Sequence, residues 1–190
     1  MAEGEAWKRL GSERLIETPY FSLRSDRLQL PTGAVKDPYY VIERPDAAII
    51  FPLTRNGDVV LVRQYRPPLE EMELGLPAGL VEEGENPEAA ARRELLEETG
   101  HSGGEWETLG SLASSPSLKD NRAHLFLARG VERSAAPEPD EHELVEVVKA
   151  PVEELLGLVR SGRLVSSSGV ATVMLALQRL GTLHAEEGLL

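Results

Sequence analysis

The sequence predicts an α+β fold, and three observations predict it. Alternating or short apolar runs of strand length recur through the first 65 residues and again between 106 and 150. A single run of strong helix formers, Glu88 to Thr99, interrupts them, and a helical pattern closes the chain. With 190 residues, 41% of them hydrophobic, the chain can bury one good core, so one main domain is expected.

Taken in order, residues 7–16 and 20–30 read as strands broken at Thr18-Pro19, the second alternating through Phe21, Leu23, Leu28 and Leu30. Pro31-Thr32-Gly33 is a turn signal. A third strand follows over 34–44, where Pro38 argues for an edge position. Ala47 to Leu53 is continuously apolar, as a strand buried on both faces would be. Asn56-Gly57 is a hairpin turn leading to a partner strand over Val59–Tyr65, which Pro67-Pro68 ends. Residues 69–78 connect to the helical run. Further strands are expected over Trp106–Ala113, Ala123–Ala128 and Leu144–Ala150, with a Pro116-containing loop between the first two. A helix is expected from Pro151, and a last one over Ser166–Leu180 with Val170, Val173, Met174, Leu177 and Leu180 on its apolar face. The tail from 183 to 190 is expected to fray.

Composition excludes several function classes. The net charge of −12 argues against a general nucleic-acid or acidic-membrane surface, so an anionic substrate must be met by locally placed cations. Without cysteine there is neither disulfide nor thiol chemistry. No apolar run approaches a membrane span, and the start MAEGEAWKRL lacks a signal-peptide pattern, so a cytoplasmic chain is expected.

The chemistry concentrates in Gly79 to His101, GLVEEGENPEAAARRELLEETGH. Asn86 suits an N-cap, Pro87 the first helical turn, and Gly100 the C′ position. Glu94, Glu97 and Glu98 stand three and four residues apart, so their carboxylates share one helix face. Bare, they repel each other. Such a face is either a solvated acidic surface or a seat for a hard divalent cation such as Mg²⁺, which takes oxygen ligands.

The whole 23-residue stretch resembles the Nudix box, G-x5-E-x7-R-E-U-x-E-E-x-G-U, where U is bulky and apolar. Gly79, Glu85, Arg93, Glu94, Leu95, Glu97, Glu98 and Gly100 fall in place, and His101 departs from the expected aliphatic residue. The resemblance implies a Nudix fold, a mixed β-sheet sandwiched between α-helices, over residues 45–182. It implies hydrolysis of a nucleoside diphosphate linked to another group, dependent on Mg²⁺, Mn²⁺ or another divalent ion. Glu94 and Glu98 would be metal ligands, with Glu97 in the same shell and the Ala78 carbonyl as the neutral ligand. Gly79 would let its loop approach the metals, and Glu85 would pair with Arg93.

Arg63-Gln64-Tyr65-Arg66-Pro67 resembles the arginine-rich strand end of the ADP-ribose pyrophosphatase branch, and Pro116 matches that branch's downstream proline. The resemblance makes Arg66 a contact for substrate phosphates. Residues 1–44 resemble the branch's extra N-terminal β segment, which contributes to a homodimer interface. Within it Trp7, Tyr39 and Arg44 match residues that grip the adenine and diphosphate. The catalytic base of the branch lies on an acidic loop between the last strands, which points to Glu143, with Glu141 the alternative and Glu97 the candidate within the box. The reading is therefore a homodimeric ADP-ribose or ADP-sugar pyrophosphatase yielding AMP and a sugar phosphate. Its rivals are a Nudix hydrolase of GDP-mannose, FAD or NADH, and a non-catalytic nucleotide sensor on the same fold.

Overall fold

The computed structural model describes residues 6–138 and 144–183. They fall into two compact units, Met1–Pro45 with Ala113–Arg122, and Asp46–Leu112 with Ala123–Leu190.

The first unit is a three-stranded antiparallel sheet in the order β1-β2-β3, formed by β1 (Lys8–Glu17), β2 (Ser22–Gln29) and β3 (Val35–Glu43). Thr18 closes the β1–β2 turn: its Oγ1 accepts the Phe21 N–H at 3.0 Å and donates to the Phe21 carbonyl at 2.8 Å. Pro38 stands in β3, an outer strand, where its missing N–H costs least. Loop residues 113–122 join this unit. Tyr39 donates its hydroxyl to the Ser117 carbonyl at 2.9 Å, and the Ile42 N–H donates to the Leu118 carbonyl at 2.8 Å.

The second unit is a mixed sheet with helices on both faces. Its strands are β4 (Ala47–Thr54), β5 (Asp58–Arg66), β6 (Glu71–Gly75), β7 (Ala78–Leu80), β8 (His101–Ser102), β9 (Glu105–Ala113), β10 (Arg122–Arg133) and β11 (Val145–Pro151). The main path runs β11-β5-β4-β10-β8. Strand β6 extends β5, β7 joins β4 and β9 joins β10. Strand β10 runs parallel to β4, whereas β11 and β6 pair antiparallel with β5. Residues Ala48 to Pro52 of β4 are all buried, as a strand covered on both faces must be. On one face Phe51, Leu61, Leu125 and Leu127 pack with Leu155 and Leu158 of α2 (Leu155–Arg160) and with Val173, Ala176 and Leu177 of α3 (Ser167–Arg179). On the other, Ile50, Val60, Phe126 and Ala128 meet Ala90, Ala91 and Leu95 of α1 (Pro87–Thr99). Leu95 is fully buried, and truncating such a side chain costs about 2–5 kcal/mol.

Three details differ from the sequence reading. The connection 69–78 contains β6 and part of β7. The helix expected from Pro151 begins later: Pro151 ends β11, a 3₁₀ turn covers Val152–Glu154, and α2 follows. The buried face of α3 is Gly169, Thr172, Val173, Ala176 and Leu177, rotated away from Val170 and Met174. Small residues bring that helix close to the sheet, and the Thr172 hydroxyl is satisfied by the Ser168 carbonyl at 2.7 Å. No helix among the described residues is long and apolar enough to cross a membrane.

Candidate active site

Helix α1 is built as its ends dictate. The Asn86 side chain accepts the Glu88 N–H at 2.9 Å, Pro87 occupies the first turn, and Gly100 adopts φ 70°, donating its N–H to the Leu96 carbonyl at 2.8 Å. Glu88 and Arg92 form an i,i+4 ion pair at 2.8 Å, and the Arg92 guanidinium lies 4.5 Å from the Trp106 ring centre.

The acidic face is not uniform. Glu94 and Glu98, four residues apart, both turn toward the loop that precedes the helix. The Glu98 side chain, on a residue only 6% exposed, accepts the Ala78 N–H at 3.0 Å. Glu94 lies against Gly79: a Cβ there would fall 1.9 Å from the Glu94 Cδ and 2.0 Å from its Oε1. Only glycine leaves room for that carboxylate. Glu97 is half exposed and meets the same Arg93 Nη1 that bonds Glu94.

Arg93 ties these groups together. Its Nε and Nη2 donate to the two oxygens of Glu85 at 3.2 and 3.1 Å, and Nη2 also reaches the Leu80 carbonyl at 3.0 Å. Its Nη1 bonds Glu94 at 2.8 Å and Glu97 at 3.0 Å. Glu85 in turn accepts the Glu82 N–H at 3.0 Å, so the loop 80–85 is bound to the helix through one guanidinium. The electrostatics follow. The Arg93 fork, then the Glu82 N–H, hold the Glu85 carboxyl below its ordinary range. Arg93 itself is raised, first by Glu85 against the opposing effect of burial, then by Glu94 and Glu97.

These residues fit a hard divalent cation by the chemistry of their donors: two inward carboxylates, a third nearby, and backbone oxygen on a loop whose glycine leaves room. Among the described residues, no group of three or more such side chains is already gathered into a cage. The loop after β10 docks on the same helix. Ser134 and Ala135 donate N–H groups to the Gly100 carbonyl at 2.8 and 3.2 Å, and Glu138 donates to the Glu97 carbonyl at 2.8 Å. Glu141 and Glu143 lie outside the described residues.

Arg66 ends β5. Its Nε donates to Glu73 Oε2 at 2.7 Å. Glu73 escaped the sequence reading because β6 did; the alternation Met72, Leu74 against Glu71, Glu73 was its signal. His101 is buried, with its ring Nδ1 2.9 Å from the Thr99 carbonyl. His124 on β10 contacts Asp46, the residue before β4, at 2.8 Å.

In the first unit Trp7 and Tyr39 form an edge-to-face pair, with ring centroids 6.3 Å apart at 76°. Arg44 is exposed, and its backbone N–H donates to Asp120 at 3.4 Å.

Comparison with known proteins gives these arrangements a context. A NUDIX domain model matches residues 43–167, and a model described as the nucleoside diphosphate sugar hydrolase N-terminal domain matches residues 7–42. The chain is similar to an ADP-ribose pyrophosphatase of Bacillus subtilis (strain 168), 32% identical and covering 95% of this chain and 97% of that protein. It is also 33% identical to a methanol dehydrogenase activator of Bacillus methanolicus, covering 87% of this chain and 90% of the other. A crystal structure of an ADP compounds hydrolase superposes with a TM-score of 0.84 over 96% of this chain and 98% of that one; at 24% identity this shows a shared fold. With two thirds of its length inside the first model and the box residues arranged around one helix and one loop, the chain belongs to the NUDIX domain family.

Proposed function

We propose that the protein hydrolyses the pyrophosphate bond of ADP-ribose or a related ADP-sugar with Mg²⁺, releasing AMP and a sugar phosphate. The observation that carries this reading is the convergence of Glu94 and Glu98 on the Ala78–Gly79 loop. The similar proteins named ADP-ribose pyrophosphatase supply the substrate class. Glu94, Glu98 and the Ala78 carbonyl would hold the ion, with Glu97 beside them. Bound there, a divalent cation neutralises diphosphate charge and makes the attacking water more acidic.

The chain's own residues do the rest. Arg93 fixes the carboxylates and the 80–85 loop. Arg66 offers a planar fork to phosphate oxygens. Trp7 and Tyr39 stack on the adenine, and Arg44 meets the diphosphate. A glutamate takes the proton as the water oxygen bonds to phosphorus and the bridging P–O bond breaks. Glu143 is first choice, Glu141 second, and Glu97 the candidate inside the box. The first unit serves a homodimer: among its described residues Val41 is the one buried apolar side chain, whereas Leu10, Ile16 and Tyr40 are exposed. A cytoplasmic enzyme without nucleic-acid partners fits the net charge of −12.

The test is a hydrolysis screen over ADP-ribose, ADP-glucose, GDP-mannose, FAD, NADH and 8-oxo-dGTP, with Mg²⁺ and with chelator. Release of AMP from the ADP-sugars, abolished by chelation, is expected. Turnover of only non-adenosine substrates, or of none, overturns the reading. Within it, Glu143→Gln lowers kcat sharply with little change in substrate Kd, and Glu141→Gln does much less. The reverse order moves the base to Glu141, and two silent variants move it to Glu97.

A further inference from the structure

The Arg66–Glu73 pair has a geometry that an ordinary surface ion pair lacks. In the β5–β6 ladder Arg66 stands opposite Glu71 and Gln64 opposite Glu73, with no register shift, so Arg66 and Glu73 are diagonal neighbours on one face. That face is the one Val60 presents to α1, the helix that carries the box. The two partners differ in burial. The Glu73 side chain is 10% exposed and the Arg66 side chain 45%. The contact is made through Nε, while Nη1 and Nη2 have no hydrogen-bond partner among the described residues. A carboxylate placed this way fixes the plane of the guanidinium and leaves its outer edge open. That outer edge is the one that can meet two oxygens of a phosphate at once.

We propose that Glu73 is a positioning residue: it orients Arg66 so that the Nη1–Nη2 edge is held ready for the diphosphate of the substrate. The inference rests on the reading of Arg66 as a phosphate contact. Glu73 acts through Arg66 and touches no substrate atom. It sits five residues before Ala78 on the same segment, so β6 sets both the arginine and the start of the metal-holding loop. Because Arg66 contacts phosphate before and during reaction, losing its orientation weakens ground state and transition state alike, which raises KM and leaves kcat nearly unchanged. Glutamine at 73 retains an oxygen that can accept the Nε–H, so position and charge can be separated.

The experiment measures kcat and KM for ADP-ribose at saturating Mg²⁺, with thermal unfolding in parallel. The variants are Arg66→Ala, Glu73→Leu, Glu73→Gln and the double variant Arg66→Ala/Glu73→Leu. Glu73→Leu is expected to raise KM about tenfold, the scale of one charge-assisted contact, with kcat within about threefold. Glu73→Gln keeps KM within about twofold of wild type. In the Arg66→Ala background, which itself raises KM, Glu73→Leu adds nothing further. Should Glu73→Leu not fold, Glu73→Asp draws the carboxylate back by one methylene and is expected to raise KM several-fold. The proposal is overturned if Arg66→Ala raises KM and a folded Glu73→Leu or Glu73→Asp variant does not. It is overturned too if the Glu73→Leu effect persists undiminished without Arg66, or if Glu73→Gln is as damaging as Glu73→Leu. An unchanged KM in Arg66→Ala removes the phosphate role of Arg66 and with it the role of Glu73, while hydrolysis of ADP-ribose still stands.

Discussion

In the first unit a carboxylate is buried while several large apolar side chains are exposed; in the second the order is the usual one. Asp26 is buried in β2, where Arg24 reaches it at 3.1 Å and the Ser12 hydroxyl at 2.6 Å. Burial works to raise the Asp26 carboxyl, but Ser12 and Arg24 outweigh it and hold it below its ordinary range. Glu43 is lowered first by the Ser22 hydroxyl and then by Arg24. Meanwhile Leu10, Ile16 and Tyr40 lie exposed on a sheet whose outer strand β1 is exposed along its whole length, and Tyr20 is exposed in the β1–β2 turn. The second unit buries two apolar clusters, one on each face of its sheet. One region is thus self-sufficient, while the other has fixed its strands by ion pairs and left its apolar surface for something else to cover. The first pattern suits recognition and association, the second a rigid frame for chemistry.

Glu98→Gln probes the frame most severely. It keeps shape and removes charge, and kcat should fall by at least about 10²-fold, the scale of a lost transition-state electrostatic contact. The helix should hold or gain slightly, since like charges no longer face each other. Near-wild-type turnover at saturating Mg²⁺ would place the ion elsewhere.

Gly79→Ala comes next. The added Cβ displaces the end of a flexible Glu94 side chain, so unfolding free energy should change by only about 1 kcal/mol, while kcat drops about tenfold or more. Steady-state rates against Mg²⁺ concentration, with denaturant melts, separate the two effects. A large stability loss with full activity would show that the close approach is packing alone.

Trp7→Ala addresses the other region. If the Trp7–Tyr39 pair grips adenine, KM for ADP-ribose rises about tenfold with kcat preserved, as loss of one base-stacking contact would do. Unchanged KM would confine these rings to packing within their own unit.

The smallest effect is expected at His101. Burial first, then Lys149 on β11 and Arg133 on β10, lower its pKa, against the opposing bond to the Thr99 carbonyl. The unfolded chain therefore takes up a proton near pH 6.5, where the native ring stays neutral. Stability is full above that pH and falls as pH drops through it, by at most about 1.4 kcal/mol per unit for one proton. His101→Leu should flatten this dependence in denaturant melts from pH 7.5 to 5. An unchanged slope would assign it to other groups.

The box was legible in the sequence because its spacing is the spacing of one helix turn and one loop, both set by local rules at Asn86, Pro87 and Gly100. The long strands were legible from several signals: alternation from Phe21 to Leu30, the continuous apolar run Ala47–Leu53, and the Asn56-Gly57 turn before β5. Strands β7 and β8, of three and two residues, are too short to show a period, and β6, of five, shows only one brief alternation; all three exist because long neighbours offer them hydrogen bonds. The burial of Glu94 and Glu98 against loop 78–80, with Glu97 left more exposed, depends on where that loop passes, which no local pattern states. Glu73 was hidden with β6. The face of α3 was misjudged by one residue because size, with Thr172 and Ala176 packed close, outweighed hydrophobicity.

The proposed division of labour gives the chemistry to the second unit and, to the first, the dimer that holds ADP-linked substrates. Sedimentation velocity of the full-length chain, on the same sample used to assay ADP-ribose hydrolysis with Mg²⁺, tests it most directly. The account predicts an active species of twice the 20.8 kDa chain mass, which loses both association and tight substrate binding when residues 1–30 are deleted. A stable full-length monomer with full activity on ADP-ribose would contradict it.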